Sequence, residues 1–243
     1  MATPITPDTL ERGVESGILT AELVPNRVRN PERICGYLRL WIGPMFAGKS
    51  SRLMTELTTY ADVDLRVLYI NHSDDTRSGC GDNMFSTHSS QYKGLSAKIM
   101  AIKCSNLLDI SVDDYDVIGI DEAQFFTDLV SAVDGWINEH HKIVLCAGLD
   151  GDSQRKPIDD TLQLIPLADK VTKLSAVCHK CLMMSMQERM EPNYVPHTPK
   201  VNKAPFTVCL VSGSGGKKVG GIETYSSMCR YHYNLHVNTH REN

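Results

Sequence analysis

Residues 37–50 read Tyr37-Leu38-Arg39-Leu40-Trp41-Ile42-Gly43-Pro44-Met45-Phe46-Ala47-Gly48-Lys49-Ser50, an apolar run entering a Gly-x-x-x-x-Gly-Lys-Ser loop. The run predicts a strand over 37–42, and the stretch from Lys49 to Tyr60 predicts a helix. Strand, loop and helix in that order are the setting in which this pattern holds phosphate. Gly43 and Gly48 allow the tight turn that aims several N–H groups at one anion. The helix N-terminus adds partial positive charge, Lys49 a full one, and Ser50 a hydroxyl for Mg²⁺. ATP with Mg²⁺ is the ligand pair this chemistry implies.

Further β-branched runs recur at 66–70, 97–102, 116–120, 143–147 and 171–177, with helix-like stretches at 124–139 and 158–167 between them. Runs apolar on both faces that alternate with helices predict an α/β fold, a parallel sheet covered on both sides. The run at 116–120 ends in Asp121-Glu122. Adjacent carboxylates there point to opposite sides, so one can serve Mg²⁺ while the other faces an acceptor. Paired acids at a strand end are also common as exposed turn residues; the preceding loop favours the catalytic reading.

Two short segments carry metal-ligand spacing: Cys178-His179-Lys180-Cys181 and Cys229-Arg230-Tyr231-His232. Together they predict a closed tetrahedral site for structural Zn²⁺, with His236 as the alternative to His232. A single Cys-x-x-Cys would read equally as buried cysteines or a redox pair. The chain has eight cysteines. Cys35, Cys80, Cys104, Cys146 and Cys209 are left without a role, and Cys146 reads as a small buried hydrophobe. Free thiols suit a reducing compartment, and a cytoplasmic location is expected.

The first thirty-odd residues hold Pro4, Pro7, Pro25 and Pro31 and read as an extension with one short helix near 9–18. They lack the apolar core of a secretory signal, and their acids speak against a transit peptide. The stretch 183–216, rich in proline and glycine, reads as a long loop. The balance of 25 basic against 29 acidic residues and a pI near 6.1 argue against binding a nucleic-acid polymer. No apolar stretch approaches a membrane span.

Taken with their order, these motifs resemble the type II (cellular-type) thymidine kinase family. The resemblance rests on Ile42 to Ser50 and Asp121-Glu122-Ala123-Gln124-Phe125-Phe126. It extends to Asp75-Thr76-Arg77, Phe85-Ser86-Thr87-His88, Leu149 to Pro157, and Val219-Gly220-Gly221-Ile222-Glu223-Thr224-Tyr225. It covers about Tyr37 to Tyr233 and implies transfer of the ATP γ-phosphate to the 5′-hydroxyl of thymidine. It implies Glu122 as general base, Asp121 on the Mg²⁺ side, and Asp75, Arg77 and Gln124 with the phosphate loop on the ATP and Mg²⁺ side. Met45, Phe126, Leu149 and Ser153 would line the nucleoside wall, although Met45, Phe126 and Leu149 read equally as ordinary core residues. A lasso of Lys218, Val219, Gly220, Gly221 and Ile222, with Tyr225, would read the base. The zinc-tied lasso and a homo-oligomer, tetramer or dimer, are also family expectations.

The implied division is 1–33 extension, 34–175 P-loop kinase domain, 176–236 zinc-binding lasso and 237–243 tail. Ser153 and Ile158 depart from the family, standing where many members have phenylalanine; less aromatic surface there would weaken stacking or shift the substrate range. Two rivals stay open: a zinc-stabilised ATP-binding module without kinase activity, and a kinase for deoxycytidine or deoxyuridine.

Overall fold

The computed structural model describes residues 35–75, 98–188, 190, 202–211 and 221–239. The expected helix near 9–18 lies outside them. Strand β1 (Tyr37–Gly43) leads into helix α1 (Lys49–Asp62), followed by β2 (Val67–His72), β3 (Ile99–Cys104) and β4 (Val117–Ile120). After a 3-10 turn at Ala123–Phe125 come α2 (Leu129–Asn138), β5 (Ile143–Leu149), α3 (Asp159–Gln163), a second 3-10 turn (Ile165–Leu167) and β6 (Lys170–Lys173). These strands form one six-stranded sheet in the order β3-β2-β4-β5-β1-β6. Every pairing within it is parallel.

Strand alternation sorts the apolar side chains onto two faces. Leu38, Leu40, Leu68, Ile70, Ile118, Ile120, Val144 and Cys146 pack with Leu129, Val133 and Trp136 of α2. Trp41, Val67, Tyr69, Val117, Ile143 and Leu145 face Leu53, Met54, Leu57 and Tyr60 of α1. The doubly covered sheet follows from these two buried faces, as the unbroken apolar runs require. Burial pushes the Cys146 thiol up, consistent with an inert core residue. A parallel sheet gathers the carboxyl ends of β1, β4 and β5 on one edge, where ligands bind in this architecture.

The expected helix over 124–139 is broken. Phe126 takes an extended conformation and is wholly buried, so its burial in the core ends the 3-10 turn before α2 begins. The strand over 171–177 divides as well: Leu174 N–H donates to Ile42 C=O after β6, and β7 (Ala176–Val177) pairs elsewhere.

Beyond β6 lies a smaller lobe: β7, α4 (His179–Glu188), β8 (Lys203–Ala204), β9 (Phe206–Cys209), β10 (Tyr225–Met228) and α5 (Arg230–Thr239). Two antiparallel pairs, β7 with β8 and β9 with β10, build it. Part of the stretch expected as loop over 183–216 is therefore ordered as α4, β8 and β9. Its small core contains Ala176, Ala204, Val208, Met228 and Tyr233, together with Cys178, Cys181 and Cys229. Among the described residues, no helix is long and apolar enough to cross a membrane.

Candidate active site and metal centre

The loop after β1 depends on backbone conformations that ordinary residues resist. Gly43 has φ 147°, and a Cβ there would lie 2.6 Å from the Leu174 carbonyl oxygen. Gly48, left-handed at φ 78°, caps α1 at its N-terminus, and Phe46 is left-handed at φ 62°. Lys49 is buried and its ammonium donates to the Pro44 carbonyl, 2.8 Å away, holding the charge over the loop. Pro44 has no N–H, and the Met45 N–H donates to Thr207 Oγ1 at 3.0 Å. Neither residue therefore offers an N–H to a ligand of the loop.

Asp121 follows β4, its N–H donating to Ile70 C=O at 2.9 Å. Its Oδ1 accepts from Ser50 Oγ at 3.0 Å and from the Glu122 N–H at 2.9 Å, and its Oδ2 accepts from Tyr69 Oη at 3.0 Å. Burial, reinforced by the neighbouring Glu122 charge, pushes its pKa up to about 6 against these hydrogen bonds. The Tyr69 hydroxyl is held well above its ordinary pKa by burial and by Asp121, so it remains a donor.

Glu122 is left-handed at φ 49°, a strained conformation that turns the chain directly after Asp121. The Gln124 side-chain amide donates to Glu122 Oε2, and Gln124 Oε1 accepts from the Leu149 N–H at 3.0 Å. Asp75 is wholly buried; its carboxylate accepts from Asn71 Nδ2 at 2.9 Å, and Lys103 donates to its carbonyl.

Beside Glu122 opens a cleft of about 430 Å³, counting its mouth. Met45, Gln124, Phe125, Leu149, Gly151, Asp152, Ser153, Ile158, Thr207 and Tyr225 line it. Three expected wall residues, Met45, Leu149 and Ser153, are brought together here with Tyr225, expected on the lasso. Phe126 is not among them: it sits in the core, edge-on to His72 at 4.8 Å, and its neighbour Phe125 lines the cleft. The 3-10 turn decides which of the two phenylalanines faces out. Gln124 lines this cleft next to Glu122; the resemblance put it with the phosphate loop. Ile222 is exposed and Gly221 donates its N–H to Glu223. Arg77, Lys218, Val219 and Gly220 lie outside the described residues.

The metal ligands converge. The ligand atoms of Cys178, Cys181, Cys229 and His232 all lie within 4.8 Å of one another. His232 Nδ1 is 3.4, 3.5 and 3.4 Å from the Cys178, Cys181 and Cys229 sulfurs. Tetrahedral zinc with ordinary bond lengths sets such an edge at about 3.5 Å, so the four residues fit one ion. Asn202 Nδ2, 3.4 Å from Cys181 Sγ, adds a donor to the ligand set from outside. The set is closed, as structural rather than catalytic sites are.

Sequence reasoning missed Thr207, Ser227 and Phe125. Thr207 and Ser227 lie on strands within or beyond the stretch that reads as loop, and no local motif marks them. Phe125 stands beside the residue chosen in its place.

The sequence profile of the thymidine kinase family matches residues 36–233. Thymidine kinases of variola virus and vaccinia virus (strain Western Reserve) are 36% identical over 200 residues, covering 82% of this chain and 97% of theirs. The monkeypox virus thymidine kinase is 35% identical over the same share. Among solved structures, the flagellar accessory protein FlaH from Methanocaldococcus jannaschii overlays with a TM-score of 0.43 and 14% identity. That overlay covers 70% of this chain and 76% of FlaH.

Proposed function

The chain belongs to the thymidine kinase family, and from that membership we propose that its cleft transfers the γ-phosphate of ATP to the 5′-hydroxyl of thymidine. One observation carries the reading: two runs of hydrogen bonds, joined through Glu122 itself, that link phosphate loop to acceptor cleft. They run from Ser50 Oγ to Asp121, to the Glu122 backbone, and from the Glu122 carboxylate through Gln124 to Leu149. Phosphoryl transfer is mostly positioning and charge neutralisation, which such links supply.

Lys49 and the amides from Phe46 to Ser50 bind the triphosphate, with Gly43, Pro44, Ala47 and Gly48 shaping the loop. Ser50 and Asp121 would hold Mg²⁺, which would supply neutralisation of phosphate charge; Asp75 supports this side, and Arg77 steadies the charge that develops on transfer. Glu122 orients the acceptor hydroxyl and takes its proton, and Gln124 fixes the Glu122 carboxylate. Phe125, Met45 and Leu149 enclose the nucleoside, and residues 218–222 with Tyr225 read its base. Ser153 and Ile158 both line the cleft, so the missing aromatic surface falls where it loosens the fit around the acceptor. Zn²⁺ at Cys178, Cys181, Cys229 and His232 holds the smaller lobe together. We assign residues 34–175 to the kinase domain and 176–236 to the lasso, of a cytoplasmic homo-oligomer.

Incubation with labelled ATP and a panel of deoxynucleosides tests the reading. Thymidine is expected to accept label, with kcat lowered about 10²- to 10⁴-fold in Glu122→Gln, as for loss of a general base. Transfer to no nucleoside would overturn the kinase reading; transfer to deoxycytidine alone would overturn the thymidine assignment.

A further inference from the structure

The backbone of one residue of the Gly43–Ser50 loop is gripped from the opposite lobe. Thr207 and Ser227 face each other across the β9–β10 pair. Both are buried, and both hydroxyls reach Met45. Thr207 Oγ1 accepts from the Met45 N–H at 3.0 Å, and Ser227 Oγ donates to the Met45 carbonyl at 2.7 Å. Both backbone hydrogen-bonding groups of that residue are thus satisfied by side chains far away in sequence, as a neighbouring strand would satisfy them.

Met45 belongs to two sites at once. It lies inside the Gly43–Ser50 loop, and it also lines the acceptor cleft alongside Thr207. Ser227 stands two residues before the metal ligand Cys229. The same lobe also grips the cleft's far wall: Tyr233 Oη donates to the Ser153 carbonyl at 2.9 Å, and the Arg155 guanidinium lies over the Tyr233 ring at 4.4 Å. A movement of β9 and β10 toward or away from a bound nucleoside must therefore carry the Met45 peptide with it.

We propose that Thr207 and Ser227 are positioning residues that link occupancy of the acceptor cleft to the shape of the phosphate loop. Nucleoside and ATP then bind with positive coupling. The inference rests on the kinase reading above. Neither hydroxyl touches the reacting atoms; they act through the Met45 peptide. Coupling between sites is reciprocal, so it is readable from either ligand.

The test is the affinity of a non-hydrolysable ATP analogue with Mg²⁺, measured with and without saturating thymidine. Wild type should bind the analogue about tenfold more tightly when thymidine is present, within the usual range for coupled sites. Ser227→Ala, which leaves the cleft lining untouched, should lose most of that gain while keeping its metal. Ser227→Thr, retaining the donor, should keep it, and Thr207→Ser should behave as Ser227→Thr does. Simple loss of lobe packing would weaken analogue binding equally with and without thymidine, leaving the gain intact. That result, a full gain in Ser227→Ala, loss of metal together with the gain, or no gain in wild type would each overturn the proposal. Wild type that phosphorylates no nucleoside would instead overturn the kinase reading on which it stands.

Discussion

Asp121→Asn should make the protein more stable at neutral pH in magnesium-free buffer while removing its activity. Asp121 is buried, and its carboxyl is pushed from an ordinary 3.8 up to about 6, first by burial and then by Glu122. That difference corresponds to about 3 kcal/mol. The sign follows from the direction. A raised carboxyl pKa contributes stability that is fully present below 3.8 and is lost as pH rises through about 6. At pH 7 and above, wild type therefore carries the whole penalty of an ionised buried carboxylate.

Asparagine has nearly the same shape and no charge. Its oxygen can accept from Ser50 Oγ and the Glu122 N–H, as Asp121 Oδ1 does, and its amide can donate to a rotated Tyr69 hydroxyl. The variant's advantage should be near zero at pH 4, grow between pH 4 and 6, and level off at about 3 kcal/mol above pH 7. For a chain of this size that is about 6–12 °C in Tm. Thermal or urea denaturation of both proteins, paired at each pH from 5 to 8, reads the difference, and pairing cancels the titration of groups that the Asp121 charge does not reach. Magnesium with ATP should reverse the order, because the cation favours the ionised carboxylate that asparagine lacks. Equal stability at pH 8, or a difference that stays constant from pH 5 to 8, would refute the assignment of strain to this carboxylate.

Gly43→Ala should cost about 1–3 kcal/mol and raise KM for ATP, since its Cβ would meet the Leu174 backbone carbonyl rather than a yielding side chain. Denaturation and kinetics read it together; an unchanged KM would show that the loop tolerates a different turn. Phe126→Ala should lose about 3–5 kcal/mol through a core cavity. Phe125→Ala should leave stability nearly intact and raise KM for the nucleoside, and the reverse pattern would exchange their roles. Cys229→Ser should lose bound zinc, assayed as metal per chain, and with it thymidine phosphorylation. The smaller lobe buries too few side chains besides its cysteines to hold its shape alone. Full activity in a metal-free variant would contradict this.

The sequence by itself determined the parts whose information is local. A strand running into Gly43–Ser50, the acids closing β4 and the paired Cys-x-x-Cys and Cys-x-x-His segments are each readable within a few residues. Backbone turns, helix dipoles and metal coordination impose those short spacings. Apolar runs of the right length also announced a doubly covered parallel sheet, because burial on both faces leaves no polar alternation. The strands that follow Asn202 were not legible: β8, β9 and β10 are short, lack a periodic pattern and gain their apolar contacts only around the metal cluster.

Only the tertiary structure decided which phenylalanine faces the cleft, since the choice depends on a left-handed Glu122 and a core that accepts Phe126. It alone placed Gln124 between Glu122 and Leu149, and it alone raised the Asp121 pKa by burying it beside a second acid. The grip on Met45 comes from residues 162 and 182 positions away. Contacts at such separations leave no trace in local pattern, because they are fixed by how a second lobe packs against a finished sheet.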